Sequence, residues 1–94
     1  MKSAVEISMY PLTGKYRPLI AAFIERLNGY PDMTVKTNAL STQVWGELVH
    51  VLAAVGAEIE RSAGGGVHDG DGDSVRDVPQ LVFVMKVLPG LAPP

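Results

Sequence analysis

Residues 33–47, MTVKTNALSTQVWGE, decide the architecture. They read as two strands, Met33 to Asn38 and Leu40 to Gly46. Only a few residues separate the two, which is the spacing of an antiparallel hairpin. Their alternation puts Val35 and Val44 on one face. Lys36, Asn38, Ser41, Gln43 and Trp45 fall on the other.

A helix is expected on either side of this hairpin. After it, Glu47 to about Ser62 carries Leu48, Val51, Leu52, Val55 and Ile59 on one stripe. Glu47 suits the positive N-terminal end of that helix. Gly56 sits mid-helix at a cost of about 1 kcal/mol against alanine, and close helix packing would account for it. Before the hairpin, residues 15 to 28 carry Ile20, Phe23, Ile24 and Leu27 at helical spacing. Pro18 falls in the first turn, where a missing N–H loses no partner. Asn28-Gly29 is a C-terminal stop.

Strands are expected outside the helices. Residues 3 to 10 alternate, with Val5, Ile7 and Met9 against Ala4, Glu6, Ser8 and Tyr10. Pro11 ends this strand, and Thr13-Gly14 supplies a turn. Leu81 to Leu88 is nearly continuous in apolar residues and is closed by Pro89-Gly90. Residues 63–78, AGGGVHDGDGDSVRDV, form a long Gly/Asp-rich loop expected to be mobile. The tail, 91–94, should fray.

The order β-α-β-β-α-β is a pair of split β-α-β units. Right-handed crossovers place both helices on one face of a four-stranded antiparallel sheet. The expectation is one α+β domain of the ferredoxin-like class spanning residues 1–94, with its first and third strands in the centre.

Composition bounds the function. The chain has 94 residues, 47% hydrophobic and 19% charged, with a net charge of −2. A core of this size is modest, and a second copy would help it. The mixed, slightly acidic charge argues against a nucleic-acid or anionic-membrane partner. With no cysteine, disulfides, thiolate zinc sites and Cys nucleophiles are excluded. The opening residues lack the apolar stretch of a signal peptide, and no apolar run approaches the roughly 20 residues of a membrane span. A cytoplasmic location is the expectation.

Strand parity gives the sharpest functional statement. The helix-free face should carry Glu6, Ser8 and Tyr10, with Lys36 and Asn38, and with Ser41, Gln43 and Trp45. Lys86 joins them if Phe83 and Met85 pack inward. Facing residues on neighbouring strands approach within about 5 Å. Glu6 could neutralise a cation or accept from an amino group. Trp45 or Tyr10 could stack on a ring, and Ser8, Ser41, Asn38 and Gln43 could supply directional hydrogen bonds. A solvated antiparallel face shows the same alternation with no ligand. Trp45, with Tyr10 and Val84 on the same face, favours cover by a ligand, a partner subunit or both.

Other signals are weaker. Asp69-Gly70-Asp71-Gly72-Asp73 begins like a calcium loop, but Ser74 stands where glycine is needed and Gln80 where a bidentate glutamate is needed. Gly64-Gly65-Gly66 follows a helix and so lacks the context of a phosphate cradle. His50 and His68 lack a matching carboxylate set for a metal. No nucleophile, base and orienting group can be placed together, so neither a metal, a cofactor nor an enzymatic activity is expected.

Three stretches resemble one family. They are Glu6-Ile7-Ser8-Met9-Tyr10-Pro11-Leu12, the hairpin from Thr37 through Asn38, Ser41, Thr42, Gln43 and Trp45 to Glu47, and Phe83 to Gly90. The family is that of the YkoF-like thiamin- and hydroxymethylpyrimidine-binding proteins. The resemblance covers most of residues 3 to 62 and 81 to 90. It implies a ferredoxin-like fold and a non-catalytic role in thiamin uptake or salvage. By position it implies ligand contacts from Ser8, Tyr10, Asn38, Ser41, Thr42 and Gln43. Thr42 has the opposite parity and enters through the resemblance alone. Two repeats occur in one chain of YkoF itself and one occurs here, so a homodimer or tetramer would have to supply the second. The alternative is an interaction module whose open sheet face only joins subunits. Phosphorylated forms of the ligand find no basic cluster.

Overall fold

The computed structural model describes residues 1–12, 16–64 and 81–91. In chain order these form β1 (Lys2–Pro11), α1 (Tyr16–Asn28), β2 (Thr34–Thr37), β3 (Thr42–Glu47), α2 (Leu48–Ser62) and β4 (Leu81–Leu88). The strands make one antiparallel sheet in the order β2-β3-β1-β4. This is the ferredoxin-like arrangement, with β1 and β3 central. The Thr13-Gly14 turn, most of the Gly/Asp-rich loop with Asp69–Asp73 and His68, and residues 92–94 of the tail lie outside the described residues.

The core forms where the two periodicities meet. Val5 and Ile7 of β1 and Val44 of β3 present one face of the sheet to Phe23 and Leu27 of α1 and to Val51 and Val55 of α2. Met9, Met33, Val35, Ile24, Ile59 and Phe83 pack around this centre. Burying each large apolar side chain contributes about 1.5–3 kcal/mol. At the end of β3 the backbone runs close to the 31–33 segment. A Cβ on Gly46 would lie 3.2 Å from the Asp32 carbonyl oxygen and 3.1 Å from a Val51 methyl, so a larger residue there would have to push its neighbours away by a few tenths of an ångström.

Four local expectations change. β2 stops at Thr37 and β3 begins at Thr42, because Asn38 turns the chain. Its Oδ1 accepts from the Leu40 and Ser41 N–H groups at 2.8 and 2.9 Å, an Asx-type turn that competes with extended pairing. Leu52 is exposed, while Ala54 and Glu58 are buried. The buried stripe of α2 therefore runs through 51, 54, 55, 58 and 62. Gly56 is exposed, and a Cβ placed there would meet no atom within 4 Å, so close packing does not account for it. Met85 has the inward parity but is 41% exposed, because the helices lie over β1, β2 and β3.

The helices are clamped together by one carboxylate. Glu58 accepts from Arg26 Nε at 2.6 Å and from the Tyr30 hydroxyl at 2.7 Å, and Arg26 also donates to Ser62 Oγ at 2.9 Å. Arg61 Nε lies 3.6 Å from the same carboxylate. Burial raises the Glu58 pKa. The hydrogen bonds from Tyr30 and Arg26 and the two guanidinium charges outweigh this and hold it below the ordinary carboxylate value. The same bond to Glu58, with burial, raises the Tyr30 pKa.

Candidate functional site

The register fixes what shares the helix-free face. Glu6 stands between Gln43 on β3 and Lys86 on β4, and Ala4 stands between Trp45 and Leu88. Lys36 is opposite Gln43, and Thr34 is opposite Trp45. Ser8 and Tyr10 are opposite Val84 and Val82. Since every second residue of a strand points the same way, the polar row and an apolar β4 row meet along β1.

A hollow of about 280 Å³ opens on this face. Glu6, Gln43, Trp45 and Lys86 line it together with Ala4, Leu88 and Leu91. The small Ala4 side chain leaves the floor low between the Trp45 ring and Leu88. Glu6 is held lightly. One carboxylate oxygen accepts from Ser41 Oγ at 3.1 Å, the other is 3.7 Å from Lys86 Nζ, and the side chain is 32% exposed. Trp45 is 6% exposed, and Lys36 Nζ lies 6.0 Å from its ring centroid. The Trp45 Nε1 is buried and has no hydrogen-bond partner among the described residues. A buried donor left without an acceptor costs about 1–3 kcal/mol.

The eight candidate residues do not form one cluster. Glu6, Gln43 and Trp45 share the hollow. Ser41 touches it indirectly, through Glu6. Ser8 has the same parity as Glu6, but its hydroxyl donates to the Leu40 carbonyl at 3.3 Å, and it lines a different stretch of the face. Tyr10 is exposed at the far end of β1. Asn38 spends its Oδ1 on the hairpin turn. Thr42 is buried on the helix side, opposite Ile7, with its Oγ1 3.3 Å from that of Thr37.

Asn38, Ser41 and Thr42 instead line a second, smaller hollow of about 100 Å³, walled by Phe23, Ile24 and Met9 beneath the hairpin. Ala4, Leu88 and Leu91 are not singled out by sequence. Ala4 has the right parity, and its small size among larger neighbours is the available signal.

The fold has solved counterparts. Hypothetical protein MJ1052 from Methanocaldococcus jannascii is similar at 25% identity, over 92% of this chain and 77% of that one, with a TM-score of 0.67. A "putative thiamine biosynthesis/salvage protein", TM0486 from Thermotoga maritima, matches at 17% identity over 94% and 83%, with a TM-score of 0.71. Protein SP2199 from Streptococcus pneumoniae matches at 17% identity over 97% and 89%, with a TM-score of 0.73. No protein-family model and no curated protein matches the sequence. At the fold level, the neighbours therefore include a protein connected with thiamine. Among the described residues, no helix is long and apolar enough to cross a membrane.

Proposed function

We propose that the chain is a cytoplasmic, non-catalytic protein that binds thiamin or its hydroxymethylpyrimidine precursor in uptake or salvage, and that it works as a homodimer or tetramer. One observation carries this reading. A carboxylate, an amide and an indole converge on a single open-face hollow of about 280 Å³. An aminopyrimidine offers both donors and acceptors to such a set, and a thiazolium offers a cation. Glu6 takes the amino group or the cation, Gln43 takes the remaining polar edge, and Trp45 supplies the aromatic wall. The structural likeness to a protein named for thiamine salvage supports the same class.

Titration calorimetry of the full chain with thiamin and with hydroxymethylpyrimidine tests this. Heat of binding is expected, and it should be lost in the double variant Glu6→Gln, Gln43→Ala. Absence of heat with either compound at millimolar concentration overturns the reading. The Ser8→Ala, Gln43→Ala pair separates the two candidate regions, because only its Gln43 half reaches the hollow.

The second reading is that the open face serves subunit assembly alone. The exposure of Val82, Val84, Leu88 and Leu91 favours it. Under that reading the Glu6 and Gln43 changes alter the assembly state and no small molecule produces heat.

A further inference from the structure

Trp45 carries one polar atom that the fold does not use. Its Nε1 is buried and has no hydrogen-bond partner among the described residues, in a side chain that is 6% exposed. Buried indole N–H groups ordinarily find an acceptor, so this one is a burden on the free chain. The group lying over the ring cannot relieve it, because the Lys36 ammonium has donors and no acceptor. The role of aromatic wall does not explain it either, since a phenylalanine ring offers apolar surface with no polar atom to leave unpaired. The ring does line the hollow that Glu6 and Gln43 share.

We propose that Trp45 Nε1 is the specificity-determining donor of this hollow, selecting ligands that bring a ring nitrogen to the indole and an adjacent amino group to Glu6. Trp45 and Glu6 are diagonal neighbours across β3 and β1, since Trp45 faces Ala4 and Gln43 faces Glu6. Diagonal positions lie about 7–8 Å apart. Two hydrogen bonds of about 2.9 Å, with an amino group and its neighbouring ring nitrogen between them, span that distance. The carboxylate then accepts and the indole donates, so both ends of the pair are used. A cation that has no acceptor, such as a thiazolium, satisfies Glu6 and leaves the indole unpaired. The hollow therefore selects the N=C–NH2 edge of a heteroaromatic ring and not positive charge as such. The N–H is closed to water in the free chain, so binding turns the ring or moves the Lys36 arm above it. Lys36 is exposed, and its ammonium, 6.0 Å from the ring centroid, is at the outer limit of a cation–π contact. The arm is lightly held.

This inference rests on the ligand site proposed above and names what that site selects. Trp45 is the only tryptophan of the chain, so its indole N–H gives a single, assigned NMR signal. The isotope-labelled full chain is titrated with hydroxymethylpyrimidine, with 2-aminobenzyl alcohol, which keeps the amino group and lacks the ring nitrogens, and with an N-methylthiazolium salt. Hydroxymethylpyrimidine should move the indole proton downfield and bind about tenfold more tightly than either of the others. The other two should leave that signal in place. In Trp45→Phe the advantage of hydroxymethylpyrimidine over 2-aminobenzyl alcohol should vanish. No binding of any probe at millimolar concentration overturns the site and this inference together. Binding of hydroxymethylpyrimidine with an unmoved indole signal, or equal affinity for the thiazolium salt, overturns this inference alone. So does an indole proton already at a hydrogen-bonded position in the free chain, which would make a trapped water the partner. Should Trp45→Phe not fold, the three affinities and the indole signal of the parent decide the matter.

Discussion

Among the described residues, the carboxylates of Glu58 and Glu6 are held in opposite ways. Glu58, between the helices, is 4% exposed and has partners at 2.6 and 2.7 Å from two directions, with a second guanidinium at 3.6 Å. Glu6, on the helix-free face, is 32% exposed, with one hydroxyl at 3.1 Å, one ammonium at 3.7 Å and an open hollow beside it. A carboxylate whose lone pairs are filled by its own chain has nothing left to offer a ligand. One that is loosely held at the rim of a hollow keeps acceptor capacity in reserve. Glu58 is therefore an element of stability, Glu6 is the carboxylate that the proposed function assigns to recognition, and each half of that contrast can be broken by experiment.

The largest expected effect is on stability. Glu58→Ala removes the common partner of Arg26 and Tyr30, and breaking such a buried pair should cost about 2–4 kcal/mol. This lies toward the lower part of the usual range because the Arg26 side chain is one-third exposed. Glu6→Ala should cost less than about 1 kcal/mol. Urea unfolding of the two variants checks both figures. Equal losses would abolish the contrast.

Acid should act on Glu58 in the same direction. Its folded pKa is lowered, so its contribution to stability is complete above the ordinary carboxylate pKa and is lost as pH falls through the folded value. Unfolding midpoints should drop below about pH 4 in the parent, and this step should be smaller in Glu58→Gln. Tyr30 has a raised pKa, so its contribution is full below the ordinary tyrosine value and is lost as pH rises through the folded one.

Gly56 sharpens the comparison from within α2. It lies two residues from Glu58 but faces solvent, with room for a methyl group. Gly56→Ala should add about 1 kcal/mol through helix propensity alone. Because Gly56 faces solvent while Glu58 is buried on the other side of α2, the gain from Gly56→Ala should persist in the Glu58→Ala background. A double variant that departs from additivity would show that the clamp and the α2 backbone are energetically coupled.

The two halves of this contrast are not equally legible in the sequence. Alternation in β1 and β3 places Glu6, Gln43 and Trp45 on one face, since a period of two leaves no freedom once Val5 and Val44 are inside. The strand order β2-β3-β1-β4 follows from the known topology of a β-α-β-β-α-β pair and not from any residue pattern here. Glu58 escapes such a reading, although it continues the stripe of Val51 and Val55 at helical spacing. A charged residue on a buried stripe is rare, and Ile59 beside it competes for the position. What makes Glu58 buriable is Arg26 and Tyr30, 32 and 28 residues away, and no local pattern announces that meeting. Asn38 shows the converse. Its residue type suggests a contact to a ligand, whereas its carbonyl oxygen is already used in the hairpin turn.

The smallest change in stability should carry the clearest change in binding. Glu6→Gln keeps the size of the side chain and its ability to accept from Ser41, but removes the charge that faces Lys86. An exposed pair of this kind contributes about 0–1 kcal/mol, so unfolding should barely move. A charge-assisted hydrogen bond to a bound amino group or cation is worth about 1.5–3 kcal/mol, so thiamin should bind about tenfold to a hundredfold more weakly. Calorimetry on the parent and Glu6→Gln, beside their urea curves, reads both quantities. The separation requires that Lys86, released from Glu6, finds water as readily as it found the carboxylate. Its 75% exposed side chain provides for that. If stability falls while affinity holds, Glu6 belongs with Glu58 as a structural carboxylate, and the hollow beside it has no part in recognition.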